Sequence, residues 1–363
     1  MLAATTRYPI AFDLSDGAVM CALQLAGRGG VPFVRAAAQR ELEGARPGGP
    51  PSDEEILAFV ADVMRQRAFH GRAVALLPPR DVVRSYPVQV EVAKEETFET
   101  ALLRHASDVM DLPAEEMLFD YACVRSETVG RKGVCTALLT AARRSDILHY
   151  VELLRRAGGS LELVDSAASA LVRVHALAPS NAGAALLCHV GRSNTALVVA
   201  TRDAILAHRH VEWGTDRLSR KLQDNLKLGG AARDARFLLR KHGLLQAASY
   251  ESAADPAAES ATGQTIAGLL VPLADDLVHE LHNLTAYIRS GRADVAFDAL
   301  GVYGDGAEVA GLAAYFGGEL NMDAQPMDPW LRVPPAVRRT GPGAGPAASA
   351  LALGLALRRV RWL

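Results

Sequence analysis

Two hairpin signals, one near the start of the chain and one in its middle, constrain the fold most strongly. Asp16-Gly17 lies between two apolar, strand-like runs in residues 8–26, and an Asp-Gly pair in that setting predicts a tight hairpin turn. Residues 183–204 repeat the arrangement around the polar tip 191–194, which reads GRSN. A further strand and then a helix follow each hairpin, so the chain is predicted to contain two structurally similar halves.

Strand-like and helix-like periodicities alternate along the rest of the chain, which is typical of an α/β fold. A third hairpin is predicted within 117–143, and a long helix is predicted over 266–290 with a break near Pro272. Three segments rich in Pro, Gly or small polar residues are predicted to be irregular: 44–52, 246–263 and 333–347.

The charge balance argues against several classes of protein. The 363 residues include 39 basic and 41 acidic side chains, a net charge of −2, with no long block of one sign. Binding to nucleic acid or to an anionic membrane surface is therefore not expected. No apolar run reaches the ~20 residues of a membrane span, and the four scattered cysteines lack zinc-site spacing. We expect a cytoplasmic protein with reduced thiols that reaches a membrane only through a partner.

Five segments, taken in order, resemble the motifs of the actin, Hsp70 and sugar-kinase superfamily. IAFDLSDGAVMCALQL resembles its first phosphate hairpin, and HVGRSNTALVVATRDAILAHRHVEWGTDRLSRKL resembles the second with the helix that follows. VYGDGAEVAGLAAYFGGEL resembles the adenosine turn. DILHYVELLRRAGGSLELVDSAASAL resembles the segment in which a helix leads into a strand, and ASALALGLALRR resembles the closing helix. Within the superfamily the chain is most similar to the PilM family of type IV pilus assembly proteins, with the FtsA family of cell-division proteins more distant.

The resemblance implies a bilobal, actin-like (ribonuclease H-like) α/β fold. Two duplicated β-meander/α lobes would enclose a cleft, and a small α/β subdomain would be inserted in lobe one, where PilM-type proteins carry their partner-binding subdomain. The implied division of the chain is lobe one, first part, 1–82; inserted subdomain, 83–162; linker and helix of lobe one, 163–180; lobe two, 181–334; and closing helix of lobe one, 335–363.

The resemblance also implies a site for ATP and Mg²⁺ between the lobes. In the superfamily, N–H groups and small hydroxyls at the hairpin tips hold phosphates, and a Gly-rich turn admits the adenosine. A carboxylate at a strand end holds hydrated Mg²⁺, and Asp13 stands at that position. The implied nucleotide-binding residues are Asp13, Ser15, Gly17, Gly191, Ser193, Thr195, Gly304, Gly306 and Ala307.

The sequence departs from the superfamily pattern at several positions. Asp16 would place a negative charge near a polyphosphate, and Arg236 and Arg240 stand on the helix that often carries a Glu and a Lys. His189 replaces the second Mg²⁺-binding carboxylate, and a neutral imidazole is a poor Mg²⁺ ligand. Three roles stay open for His189: packing in the hairpin, contact with phosphate when protonated, or contact with another protein. For Asp13, the alternative to Mg²⁺ binding is a strand-end carboxylate that accepts hydrogen bonds from turn N–H groups.

By resemblance, the expected function is that of a cytoplasmic scaffold in the inner-membrane assembly platform of a type IV pilus or related secretion machine. Such a scaffold would bind the cytoplasmic N-terminal segment of a PilN-like membrane protein, and ATP would set the angle between its lobes. Two alternatives stay open: an ATPase or small-molecule kinase of the same superfamily, and an FtsA-like filament or a dimer built from copies of the chain. The absence of the second carboxylate favours the scaffold over the enzyme.

Overall fold

The computed structural model of the chain describes residues 8–28, 31–42, 49–92, 96–129, 132–177, 183–201, 204–228, 232–245, 256–291, 295–329 and 350–358. Its strands are β1 (Ile10–Asp16), β2 (Val19–Arg28), β3 (Val31–Glu41), β4 (Ala73–Leu77), β5 (Val83–Val92), β6 (Met117–Val129), β7 (Lys132–Arg143), β8 (Ser160–Val164), β9 (Ala184–Val190), β10 (Thr195–Ala200), β11 (Ile205–Val211), β12 (Phe297–Tyr303) and β13 (Ala324–Pro326). Its helices are α1 (Asp53–Arg65), α2 (Phe98–Met110), α3 (Arg144–Arg156), α4 (Ala167–His175), α5 (Thr215–Leu226), α6 (Ala232–Lys241), α7 (Pro256–Gly291), α8 (Leu312–Leu320) and α9 (Ala350–Ala356), with short 3₁₀ helices at Ala114–Glu116 and Gly304–Glu308.

A five-stranded sheet in the order β3-β2-β1-β4-β8 forms the first lobe. β1 pairs antiparallel with β2 and parallel with β4, so a hairpin stands beside a parallel strand. α1 and α3 cover one face through a core that contains Phe12, Phe59 and Leu154. The other face packs on α4 and α9. α1 begins at a capping box in which Ser52 and Glu55 satisfy each other's backbone N–H groups.

The second lobe repeats this arrangement. Its sheet has the order β11-β10-β9-β12-β13, with β9 antiparallel to β10 and parallel to β12. α5, α6, α7 and α8 cover one face around a core that contains Trp213 and Phe316. On the opposite face, Leu187 and Val198 share a core with α4 and α9, which joins the two lobes. The predicted bilobal α/β architecture with two duplicated halves is confirmed by this topology.

A separate three-stranded sheet, in the order β5-β7-β6, interrupts the first lobe between β4 and β8. α2 packs on one of its faces around Val88, Leu102 and Leu139. We call residues 83–143 the three-stranded module. The predicted subdomain extends further, to residue 162, but α3 packs into the first-lobe core and β8 pairs with β4. The module therefore ends where β7 ends, because the apolar face of α3 is buried against the first lobe.

α7 differs from the prediction at its start and in its middle. Residues 256–263, predicted to be irregular, form its first turns, and Pro256 stands at the first helical position, where no N–H is needed. Pro272 lies inside the helix, which continues past it instead of breaking. The fully buried Leu270 and Leu277 pack into the second-lobe core on both sides of Pro272. This packing outweighs the local cost of the proline.

Some predictions concern residues outside the described ranges. The predicted irregular segment 333–347 is one of them, as are residues 43–48 and 246–255. From the predicted closing segment 335–363 the structure describes α9, which packs on α4 and β1. Within the described ranges, no helix combines the length and the hydropathy needed to cross a bilayer.

Candidate functional site

The tips of two hairpins meet between the lobes. The first hairpin is formed by β1 and β2, and the second by β9 and β10. The Gly17 N–H donates to Ser193 Oγ at 2.9 Å, and the Asn194 side-chain amide donates to the Ser15 carbonyl oxygen at 2.9 Å. Each hairpin thus binds the tip of the other, and the two sheets are joined at the position predicted for a phosphate site.

The carboxylate of Asp16 lies at the centre of this contact. One oxygen accepts the Arg192 N–H at 2.6 Å, and the other accepts the Ser193 hydroxyl at 2.8 Å and the Ser193 N–H at 3.3 Å. We call these three donors of the second hairpin the cradle. Within its own turn, Asp16 also accepts the Ala18 N–H at 2.9 Å. Consecutive backbone N–H groups that converge on one point form a typical anion-binding arrangement.

Two glycines allow this close approach. A Cβ at Gly191 would collide with the Asp16 carboxylate, and a Cβ at Gly17 would collide with the carbonyl oxygen of Gly49. A side chain at Gly191 would push the hairpins apart, whereas one at Gly17 would displace the backbone that precedes α1. The predicted importance of these glycines therefore has a concrete cause, which is the contact between two parts of the same chain.

Asp13 is directed toward its own turn. Its Oδ1 accepts the Ser15 N–H at 3.0 Å and the Ser15 hydroxyl at 2.6 Å. Burial raises the pKa of Asp13 to about 6, although the Ser15 hydrogen bonds oppose the rise. Among the residues that the structure describes, no group of three or more His, Cys, Asp or Glu side chains is arranged to hold a metal ion. The geometry matches the strand-end alternative, and Mg²⁺ binding by Asp13 stays a prediction.

Thr195 lies close to the cradle in sequence but faces the other way. Its hydroxyl is fully buried and donates to the Trp213 carbonyl oxygen at 2.6 Å. Side chains alternate along β10, so Thr195 shares the face of Leu197 and Val199, which belongs to the second-lobe core. In this arrangement its hydroxyl ties β10 to the start of α5 and does not point toward a phosphate.

His189 faces the interior between the lobes. Only 6% of its surface is exposed, and within the described part of the chain its Nε2 has no hydrogen-bond partner. Burial lowers the pKa of His189 to about 4, so the ring is neutral at pH 7. A neutral ring gives no charge to a phosphate contact. Of the three roles left open by the sequence, the geometry fits packing within the hairpin best.

The predicted adenosine turn closes the site from the side of β12. Gly304 has a φ of 74°, a left-handed conformation that favours glycine, and a Cβ there would come within 3.0 Å of His189 Nε2. Gly306 packs on the side chain of Val190, and Ala307 lies in the same 3₁₀ helix. Burial raises the pKa of Asp305 to about 7, and the charge of Asp16 contributes to the rise.

Ion pairs that no motif pointed to surround the cradle. The Arg192 guanidinium lies 3.1 Å from Asp216 and 3.0 Å from Glu41, which ends β3 in the first lobe. Arg236 of α6 also contacts Glu41, at 3.0 Å, and Arg240 pairs with Glu308. The two arginines noted in the sequence as replacements for acidic contacts therefore hold carboxylates of this chain. Arg192 was visible in the tip GRSN, but its partners come from distant segments.

The structure thus brings together seven of the predicted residues around the hairpin contact: Asp13, Ser15, Gly17, Gly191, Ser193, Gly304 and Gly306. Sequence reasoning missed the partners of Asp16. Its charge was expected to repel a polyphosphate, and in the structure its carboxylate is also the main acceptor at the site.

Comparison with known families points to one group of proteins. The family model described as type IV pilus assembly protein PilM matches residues 51–239, which is just over half of the chain. Among curated protein sequences, none matches this chain.

Solved structures resemble the chain over nearly its whole length. A chain of a PilM-PilN type IV pilus biogenesis complex has a TM-score of 0.74 at 19% identity, and the match covers 98% of this chain and 99% of that one. Ethanolamine utilization protein EutJ from Carboxydothermus hydrogenoformans has a TM-score of 0.53 at 14% identity, covering 96% and 89%. Diol dehydratase-reactivating factor in its nucleotide-free form has a TM-score of 0.51 at 8% identity, covering 97% and 99%. At such identities the likeness shows a shared fold, and it confirms the predicted one.

Proposed function

Because this chain belongs to the family of the type IV pilus assembly protein PilM, we propose that it is a scaffold of the pilus assembly platform, and that its main task is to capture a membrane-anchored partner. The observation that carries the proposal is its similarity along the whole chain to the structure of a PilM-PilN complex. The partner is a PilN-like membrane protein, bound through its cytoplasmic N-terminal segment. The scaffold itself lies in the cytoplasm and reaches the inner membrane through that partner.

The three-stranded module offers a docking groove for an extended peptide. A groove of about 380 Å³ lies between the C-terminal half of β5 and α2, with Val90 and Ala101 on its floor. β5 is an edge strand of its sheet, and edge strands accept a further strand from a peptide. Glu91, Glu96 and Arg104 line the groove, and Arg104 pairs with Glu96 at 3.3 Å, so the groove carries charges of both signs at its rim.

A nucleotide would act through the contact between the two hairpins. The donors that would hold a phosphate are the cradle, and in this arrangement they hold Asp16. Asp13, the candidate Mg²⁺ ligand, is engaged by Ser15. The residues as arranged do not fit Mg²⁺ and ATP, and entry of ATP requires Asp16 to leave the cradle. We therefore assign partner capture, and not turnover of ATP, as the main task.

Calorimetric titration with a synthetic peptide tests the proposal. The peptide is the N-terminal cytoplasmic segment of the PilN-like partner. The half-buried His105 lines the groove on α2, and His105→Trp should fill it and weaken binding about tenfold or more. The exposed Gln325, on the edge strand β13 of the other lobe, gives the matched control Gln325→Trp, which should bind like the wild type. Equal binding by both variants would exclude this groove, and a wild type that binds no such peptide would exclude the scaffold proposal.

A further inference from the structure

We propose that Asp16 is a built-in substitute for a phosphate: its carboxylate occupies the cradle of the second hairpin and clasps the two lobes together without a nucleotide. We call this contact the clasp. It does not depend on the proposed partner capture, because it concerns residues of the cleft and not of the three-stranded module.

The first argument is the set of donors. A carboxylate has two oxygens with several acceptor positions, and both oxygens of Asp16 are used. The backbone N–H groups of Arg192 and Ser193 and the Ser193 hydroxyl are the same kinds of donor that a phosphoryl group takes at a hairpin tip. They lie 176 and 177 residues from Asp16 in sequence, so the contact joins the two lobes and is not a feature of one turn.

The close fit of the two hairpin tips also supports the clasp. Gly191 lets the Asp16 carboxylate come so close that any Cβ at residue 191 would collide with it. Ser193 Oγ donates to Asp16 and accepts the Gly17 N–H at 2.9 Å, so the same hydroxyl closes a ring of hydrogen bonds between both tips. The donors of the cradle are engaged by Asp16, and an external phosphoryl group has to displace Asp16 to reach them.

The carboxylates around the cleft also support the clasp. Asp13, Asp216 and Asp305 lie around the cleft, and the Asp16 carboxylate is in contact with the cradle itself. The cation at this place, Arg192, is already paired with Asp216 and with Glu41. An added polyphosphate would therefore meet several like charges in a partly buried site, where such repulsion is strong. Removal of the Asp16 carboxylate both frees the donors and lowers this repulsion.

Calorimetric titration of the full-length chain with inorganic pyrophosphate, and separately with Mg-ATP, tests the clasp. Asp16→Gly empties the cradle, and we expect it to bind pyrophosphate at least about tenfold more tightly than the wild type does. Asp305→Asn is the matched control, because it removes a carboxylate from the same cleft without freeing the cradle, and its affinity should rise much less than that of Asp16→Gly. A wild type that binds pyrophosphate or Mg-ATP as tightly as Asp16→Gly would overturn the proposal.

Hydrogen exchange of the wild type gives a second test that needs no variant to fold. If Asp16 holds the cradle, the amide protons of Arg192 and Ser193 exchange slowly in the absence of any nucleotide, and added Mg-ATP leaves their rates unchanged. Fast exchange of both amides, followed by protection when Mg-ATP is added, would show that the cradle waits for a phosphate and would refute the clasp. Neither outcome bears on whether the membrane partner's peptide binds the three-stranded module.

Discussion

In both lobes a hairpin stands beside a parallel strand: β1 pairs with β2 and β4, and β9 pairs with β10 and β12. The tips of these two hairpins differ in chemistry. The first tip presents the carboxylate of Asp16, whereas the second presents the N–H groups of Arg192 and Ser193. The two lobes share one strand arrangement, but the first hairpin carries the carboxylate acceptor and the second carries the cradle donors. Two such tips can bind each other, whereas two donor tips would need an anion between them.

At equivalent strand positions, the first hairpin carries an acid, Asp13, and the second carries a base, His189. Asp13 is 5% exposed and His189 is 6% exposed, so both are buried titratable groups. Burial raises the pKa of the carboxyl to about 6 and lowers the pKa of the imidazole to about 4. In each case the protein interior favours the neutral form. The two hairpins should therefore respond to pH in opposite directions.

Gly191→Ala should have the largest effect on stability, because residue 191 lies where the tips of the two hairpins meet. The new Cβ would collide with the Asp16 carboxylate and displace it from the cradle. Overpacking together with donors left without an acceptor predicts a loss of about 3 kcal/mol in the free energy of unfolding. Urea unfolding followed by circular dichroism measures this loss.

The matched control for that variant is Gly268→Ala. Gly268 lies inside α7, and nothing lies within 4 Å of the Cβ position. Alanine should there stabilise the protein by about 0.5–1 kcal/mol, because it favours the helix. If both variants changed stability by similar small amounts, the hairpin contact would contribute little to the fold.

Asp13→Asn tests how the buried carboxyl of the first hairpin affects stability. Both hydrogen bonds from Ser15 end on Oδ1, so an asparagine oxygen keeps them. The folded-state pKa of about 6 lies above the ordinary value of 3.8, so the stabilising contribution of this carboxyl is full below about pH 4 and is lost as the pH rises through 6. The variant should be more stable than the wild type by about 2 kcal/mol near pH 7.5 and equal to it near pH 4.

Thermal unfolding distinguishes Mg²⁺ binding by Asp13 from its role as a buried strand-end carboxylate. The wild type and Asp13→Asn are compared across this pH range, with Mg²⁺ and with a chelator. A variant that is less stable than the wild type in Mg²⁺, and equal to it with the chelator, would identify Asp13 as the Mg²⁺ ligand that the sequence suggests. The buried carboxyl predicts the opposite sign and no dependence on Mg²⁺.

The hairpins themselves could be predicted from the sequence, because their signals are local. Asp16-Gly17 and the tip 191–194 each lie between the strands that they join, so a few adjacent residues determine the turn. The turn at Gly304 was expected from the family resemblance and not from a local turn signal. The contact between the two hairpins is non-local, since the Arg192 N–H donates to Asp16 from 176 residues away. A sequence shows the charge of Asp16, but not which donors will face it.

Packing explains the other differences from the sequence prediction. The apolar face of α3 would suit either the three-stranded module or the first-lobe core, and only the assembled sheet shows that β8 pairs with β4. Pro272 predicts a helix break from local rules, yet the buried residues on both sides keep α7 continuous. Thr195 has the right residue type for a phosphate contact, but the alternation of β10 turns it toward the second-lobe core.

His189→Gln tests how the buried imidazole of the second hairpin affects stability, and we expect the smallest effect here. The folded-state pKa of about 4 lies below the ordinary value of 6.5, so the neutral imidazole stabilises the fold above about pH 6.5 and this contribution is lost as the pH falls toward 4. A glutamine does not take up the proton, so the stability difference between about pH 7.5 and pH 5 should be smaller than in the wild type by about 1 kcal/mol. Urea unfolding at both pH values measures it, with Asp13→Asn as the companion that shifts the alkaline side instead. An unchanged acid loss in His189→Gln would mean that the pKa of this ring is the same in the folded and the unfolded chain, and the contrast between the two hairpins would then reduce to the clasp alone.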